Sequence, residues 1–219
     1  MENVVAIDGP GGAGKSTIAK LLAKKLNSLH LDTGAMYRAV TLAALNSDLD
    51  FNAKDKIVKL AKSIDINFDE KGEIYLDGQN VSDEIRTAEV NKHVSEIAAI
   101  KGVRKVLVEK QRQLAQNHKV VMDGRDITTV VLPEAEHKFF LTASLEERAS
   151  RRYQEVKSKK ENADFGKIKE SIARRDKLDS EREHSPLKKA EDAVLVDSTN
   201  LSIDQVLDKM IAIIEGESK

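Results

Sequence analysis

The sequence contains no cysteine, which excludes disulfides and thiolate metal sites and is compatible with a reducing compartment. Neither sign of charge is in excess: 36 Lys and Arg stand against 37 Asp and Glu, a net charge of −1. No overall field therefore favours nucleic acid or an acidic membrane surface, and any anion binding must be local. No apolar run approaches the roughly 20 residues that a membrane helix needs. The chain enters a strand within a few residues of Met1, so no signal peptide is expected. The five histidines include no pair at metal-ligand spacing and receive no role. Repeats and low-complexity tracts are absent too. At 219 residues the chain has room for one substantial core with insertions, but not for two full α/β domains. These absences predict a cytoplasmic protein with no nucleic acid and no membrane among its partners; a monomer is expected, although nothing in the sequence sets the oligomeric state.

What is present is concentrated near the start. Residues Ala6 to Thr17 read AIDGPGGAGKST. Gly9, Gly14, Lys15 and Ser16 satisfy G-x-x-x-x-G-K-[ST]. The apolar run Val4 to Ile7 precedes them, and a helix-period segment (Ile18, Leu21, Leu22, Leu26) follows. This is the strand, loop and helix of a P-loop. Gly11, Gly12 and Gly14 leave the backbone uncluttered, so successive N–H groups can face phosphate oxygens at the positive end of a helix. Gly9, Pro10, Gly11, Gly12, Ala13, Gly14, Lys15, Ser16 and Thr17 are thus expected to hold the phosphates of a nucleotide, with Lys15 on the β- and γ-phosphates and Ser16 as a ligand to Mg²⁺.

Further along, Leu29 and Leu31 lead into Asp32-Thr33-Gly34-Ala35-Met36-Tyr37-Arg38, a strand end followed by a helix. This places Arg38 either at the ligand-binding edge of a parallel sheet or, as an alternative, on the solvated surface. Lys54 to Ser63 has helical period. Alternation at Ile64, Ile66 and Phe68, a turn at Lys71-Gly72, Ile74 and Leu76, and Asp77-Gly78 predict a small antiparallel element reaching Val81. That element reads as an insertion, either handling a ligand or decorative. Two helices, Thr87 to Ile100 and Val103 to Asn117, are expected on either side of a break at Gly102. Val120 to Met122 reads as a buried strand ending in Asp123-Gly124-Arg125-Asp126. There Asp123 is a candidate second Mg²⁺ ligand, with ordinary turn chemistry the alternative. His137 to Leu141 gives another strand, and Ser144 with Glu147 a capping box. From Arg148 to Arg182 basic residues accumulate around a break at Asn162 to Gly166, the pattern of a two-helix hairpin. Arg175, Asp179 and Arg182 sit at i, i+4 and i+7, on one helical face. A solvated charged face would look the same. Ala193 to Val196 is the last strand, and Ser202 with Gln205 caps the last helix.

The element order predicts an α/β fold: a P-loop, doubly wound, five-stranded parallel sheet with helices on both faces. No Asn-Lys-x-Asp guanine-reading motif accompanies the P-loop; Asn91-Lys92-His93-Val94 lacks the aspartate. The glycine-rich signature of an ABC-type ATPase is also missing. A small kinase remains. DTGAMYR resembles the TG-x-M-x-R segment of nucleoside monophosphate kinases. Together with IDGPGGAGKST, EIRTAEV (Glu84 to Val90), DGRDITTVVLP (Asp123 to Pro133), RRD-x-x-D-x-x-R (Arg174 to Arg182) and Ser185-Pro186-Leu187, it is similar to the bacterial cytidylate kinases nearly end to end.

The resemblance implies transfer of the γ-phosphoryl of ATP to CMP or dCMP, with Arg38, Arg125 and Arg182 holding the acceptor phosphate and Thr33 beside it. It implies that Ser95, Arg104 and Asp126 read cytosine, and that Arg175 and Asp179 meet the ribose. Lys15, Arg38, Arg125, Arg182 and Asp123 would carry the chemistry, with the lid arginines Arg151, Arg152 and Arg174 near ATP. Expected boundaries are core 1–34 with the P-loop, monophosphate-binding insert 35–100 holding the antiparallel element, core 101–147, helical lid 148–182 and core 183–219. A kinase for another monophosphate or small metabolite, and a non-catalytic ATP-binding module, are the rival readings.

Overall fold

The structure is a computed structural model that describes residues 4–158 and 162–216. Positions 159–161 of the expected basic hairpin, and the first and last three positions of the expected core segments, lie outside those residues.

Strand β1 (Val4–Asp8) is apolar on both sides and lies at the centre of a five-stranded parallel sheet. Helix α1 (Lys15–Lys25) follows the phosphate loop, and β2 (Leu29–Asp32) forms one edge. Helices α2 (Thr33–Asn46) and α3 (Lys54–Ser63) lead into β3 (Ile66–Phe68), β4 (Ile74–Leu76) and β5 (Gln79–Asn80), a separate antiparallel sheet. Then come α4 (Ala88–Ala99), α5 (Lys101–Asn117) and β6 (Val120–Gly124). The chain continues through β7 (His137–Thr142), α6 (Leu145–Ser158), α7 (Phe165–Glu181), β8 (Val194–Asp197) and α8 (Ile203–Ile214). The order in the main sheet is β2-β6-β1-β7-β8, so the winding reverses around β1 and the phosphate loop emerges at that reversal.

Period-2 alternation in β1 explains the two-faced core. Val5 and Ile7 join Ala19, Leu22, Phe139, Leu141, Leu207 and Met210 on the side of α1 and α8, while Val4 and Ala6 join Leu31, Val108, Ala115, Val120 and Met122 on the side of α5. A third buried cluster is built from α2, α3, the small sheet, α4 and α5, with Met36, Val40, Ile57, Ile85, Ile97 and Leu107 inside. Among the described residues no helix is long and apolar enough to cross a membrane.

Several boundaries depart from the sequence reading. The break between α4 and α5 falls at Ile100, whose backbone is extended (φ −73°, ψ 110°), and Gly102 lies inside α5. Gly102 is small for packing rather than for flexibility, because a Cβ there would meet Val58 Cγ2 of α3 at 2.5 Å. Strand β3 begins at Ile66, with Ile64 serving as the extended residue that ends α3. By contrast, Asp77-Gly78 forms the expected tight turn, with positive φ at both residues (49° and 80°), between strands in which Tyr75 pairs with Asn80. At the start of α6 only half of the capping box forms: Ser144 Oγ accepts from the Glu147 amide at 3.2 Å, and the Glu147 carboxylate accepts from Arg151 Nε instead. The box at Ser202 and Gln205 is complete.

Candidate active site

Parallel register brings Asp8, Asp32 and Asp123 to neighbouring strand ends, since Asp123 pairs with Ile7 on one side and Asp32 on the other. The phosphate loop, residues 9–14, rises from this edge. Lys15 Nζ donates to Pro10 O at 2.8 Å, and burial, followed by the positive charge of Arg125, lowers its pKa to about 7 against the pull of Asp123.

Beside it, Ser16 Oγ donates to Asp123 Oδ2 at 2.8 Å, and the other carboxylate oxygen lies 2.8 Å from His30 Nε2. Burial opposes ionisation of Asp123. The bond from His30, the charge of Lys15 and the Ser16 hydroxyl outweigh it and hold the carboxyl below its ordinary value. With Asp123 ionised its oxygens can only accept, so His30 Nε2 is the donor. Thr33 Oγ1 donates to Asp123 O at 2.8 Å, which ties the start of α2 to the same strand end. Asp32 is pushed upward, first by burial and then by Asp123, while Oδ1 caps α2 by accepting from Ala35 N. The Ser16 hydroxyl and the Asp123 carboxylate form a pair of hard oxygen donors beside a phosphate loop, which fits Mg²⁺.

A second cationic centre gathers around the loop after β6. Asp8, fully buried, accepts from the Ile127 amide at 2.9 Å and from the Thr128 amide and hydroxyl at 2.8 and 2.6 Å, fixing the turn that presents Arg125 and Asp126. Burial raises the Asp8 pKa, with these donors opposing it. Arg125 Nε donates to Asp179 Oδ2 at 2.9 Å, and Arg182 lies 3.6 Å from Asp179 Oδ1 and 3.8 Å from Asp126 Oδ1. Arg182 is not on the helical face expected of it: α7 ends at Glu181, and Arg182 reaches Asp179 from the first extended residue beyond. Arg104, 5% exposed, donates to Asp126 through Nη2 and to Ala98 O through Nη1, and its guanidinium carbon stands 5.4 Å from the Tyr37 ring centroid. Arg38 donates to Ile85 O and to Asn91 Oδ1 at 2.7 Å; burial and then the charge of Arg175 lower its pKa to about 10, so it stays cationic at neutral pH. Arg175 Nε is buried without a hydrogen-bond partner among the described residues.

The other expected residues lie on α4, α6 and α7. Ser95 is half-buried on α4. Arg151 donates to Ser198 O at 2.7 Å and pairs with Glu147, whereas Arg152 pairs with Glu155 on the surface, near enough to Arg38 to act on its charge. Arg174 is exposed. Four residues escaped the sequence reading. His30 was passed over because its partner is a carboxylate 93 positions away and not another metal ligand. Asp8, Tyr37 and Asp176 stand within the motifs IDGPGGAGKST, DTGAMYR and RRD-x-x-D-x-x-R but were given no role of their own. Only the short RRD-x-x-D spacing hinted that Asp176 shares a side of α7 with Asp179.

A phosphate loop on a parallel sheet, facing a second cluster of guanidinium groups and carboxylates, defines a P-loop phosphotransferase. Two solved structures show the same fold: an uncharacterized protein from Eubacterium ventriosum (TM-score 0.56, 14% identity, 97% of this chain and 98% of that one) and the shikimate kinase of Bacteroides thetaiotaomicron (TM-score 0.51, 12% identity, with the same coverage). Residues 5–216 match the family described as cytidylate kinase. The cytidylate kinase of Alkaliphilus oremlandii is 49% identical over 212 residues, 97% of each chain, and that of Caldanaerobacter subterraneus is 50% identical over 216 residues, 98% of this chain and 96% of the relative. The chain belongs to the cytidylate kinase family and is an ATP-dependent nucleoside monophosphate kinase.

Proposed function

We propose that this protein transfers the γ-phosphoryl group of ATP to CMP or dCMP, with the phosphate loop as donor subsite and the Arg38, Arg125 and Arg182 cluster as acceptor subsite. One observation carries the reading: a Cβ at Gly11 of the phosphate loop would lie 3.6 Å from Arg125 Nη2, so the two cationic centres adjoin at one point. Guanidinium forks suit phosphate oxygens and offset the repulsion as two anions approach.

The base is read by Arg104 and Asp126 with Ser95. Cytosine offers an amino donor beside two acceptors, to be matched by a carboxylate and hydroxyl on one side and a guanidinium on the other. Uracil reverses part of that pattern and leaves buried polar groups unpaired. Arg175 and Asp179 meet the ribose, and Thr33 supports the acceptor side from Asp123 O. Ser16 and Asp123 hold Mg²⁺, which when bound neutralises charge on the phosphate oxygens. No general base is required, because a phosphate monoester with a second pKa of about 6 is already mostly deprotonated at neutral pH. Lys15, Arg38, Arg125 and Arg182 align the reactants, and the segment 148–182, with Arg151, Arg152 and Arg174, acts as a lid that keeps water from the transferring group. Segment 35–100 forms the monophosphate-binding insert between core segments.

A coupled assay over CMP, dCMP, UMP, AMP and GMP tests this. CMP and dCMP are expected to exceed UMP by about a hundredfold or more in kcat/KM, the scale set by unpaired buried polar groups. Equal turnover of UMP would sink the base-reading assignment.

A further inference from the structure

Helix α7 touches the phosphate loop through a residue that the reaction described above does not use. Asp176 Oδ1 accepts from the Gly11 amide at 3.2 Å, and Oδ2 accepts from Arg148 Nη1 at 2.5 Å. Arg148, from α6, also donates to Gly11 O at 2.9 Å and through Nε to Ala143 O at 3.0 Å. The carboxylate and the guanidinium thus hold both the N–H and the C=O of one loop residue. The pair joins segments 165 and 28 positions apart, and the Arg148 side chain is only 8% exposed, which sets it apart from the surface ion pairs along α6.

One turn later on the same helix, Asp179 accepts from Arg125 Nε at 2.9 Å, and Arg125 Nη2 stands 3.6 Å from where a Cβ at Gly11 would lie. The path runs from Gly11 to Asp176 by a hydrogen bond, along α7 to Asp179, and on to Arg125, whose guanidinium lies on the open side of Gly11. Residues three apart share a side of a helix. A single turn of α7 therefore grips the donor loop with Asp176 and carries Arg175 and Asp179 into the other cationic centre. The charge arrangement is consistent with this task, since a lone carboxylate against a phosphate loop would repel the donor and Arg148 cancels it locally.

We infer that Asp176 is a positioning residue that fastens α7 to the phosphate loop, so that the loop receiving ATP also fixes where the acceptor-binding turn of α7 sits. The inference rests on the reading of Arg175 and Asp179 as acceptor-side residues. Asp176 itself touches neither reacting group; it acts through Gly11, Arg148 and the path of α7.

The test compares Asp176→Ala with Asp176→Asn in the full chain. Hydrogen exchange of the unliganded protein, read by mass spectrometry, needs no substrate: in Asp176→Ala, peptides within Phe165–Glu181 should exchange about tenfold faster while β1 and β6 peptides stay unchanged. Steady-state kinetics use whichever monophosphate the wild-type protein turns over fastest, so a failure of the cytidine reading shows in the wild type alone. For that acceptor, KM should rise about tenfold in Asp176→Ala while the Kd for ATP moves less than about threefold, the split expected when one subsite is misplaced. Asp176→Asn should recover most of the loss, because its amide oxygen still accepts from Gly11 N–H. The inference is overturned if α7 exchange is unchanged in Asp176→Ala, if sheet peptides loosen as much as α7, if ATP and acceptor binding weaken alike, or if Asn is as impaired as Ala.

Discussion

Lys15 lies folded back on Pro10 O, and its pKa of about 7 makes ATP binding pH-dependent in a definite direction. Phosphate oxygens favour the ammonium form. Below the unliganded pKa that form is already present and affinity is flat; above it, binding must take up a proton, and ATP affinity falls by up to about tenfold per pH unit. Calorimetric titration at pH 8 in buffers of different ionisation heat should register roughly one proton taken up per ATP, whereas at pH 6 the uptake at this site should vanish. The same result in Lys15→Met would assign the proton elsewhere. At this scale the sequence offered candidate groups but not their partners. Lys15, Ser16 and Asp123 were named from motif and strand position, but His30 was not, since nothing local to Leu29-His30-Leu31 says that its ring will end 2.8 Å from a carboxylate on the adjacent strand.

Among the elements, the junction of α4 and α5 shows why boundaries are harder to read than existence. Glycine is the usual signature of a helix break, yet Gly102 lies within α5 and its missing side chain makes room for Val58 of α3. Gly102→Ala gains helix propensity of up to about 1 kcal/mol but must displace Val58, and overpacking of this kind costs about 1–3 kcal/mol. A net loss of about 1 kcal/mol is expected in urea unfolding, with Gly102→Ala/Val58→Ala restoring at least part of it. If Gly102→Ala is instead more stable than the wild type, the contact is too soft to constrain the residue. The Ser202 and Gln205 box formed in full while the Ser144 box formed by half, because Glu147 found a competing guanidinium, Arg151, one turn along. A local pattern holds where no stronger partner from the same or another element intervenes.

For the molecule as a whole, the two cationic centres belong to different parts of the chain, and α7 joins them. If segment 148–182 closes over both substrates, its many basic positions become inaccessible to trypsin only when both subsites are filled. A non-transferable ATP analogue with CMP should therefore slow cleavage in this segment by about tenfold or more, and each ligand alone should do less, as expected when closure completes the site. Identical cleavage with and without the ligand pair would rule out closure. The sequence by itself determined the class of fold, because hydrophobic period and the phosphate-loop motif are written within a few consecutive residues. It determined the family as well, because several short motifs follow one another in order along the chain, and residues 5–216 match that family. What it could not determine is which charges meet. Arg125 with Asp179, Arg148 with Asp176 and His30 with Asp123 are separated by 54, 28 and 93 positions, and each pairing exists only because parallel strand register and the docking of α7 carry distant residues to one edge of the sheet.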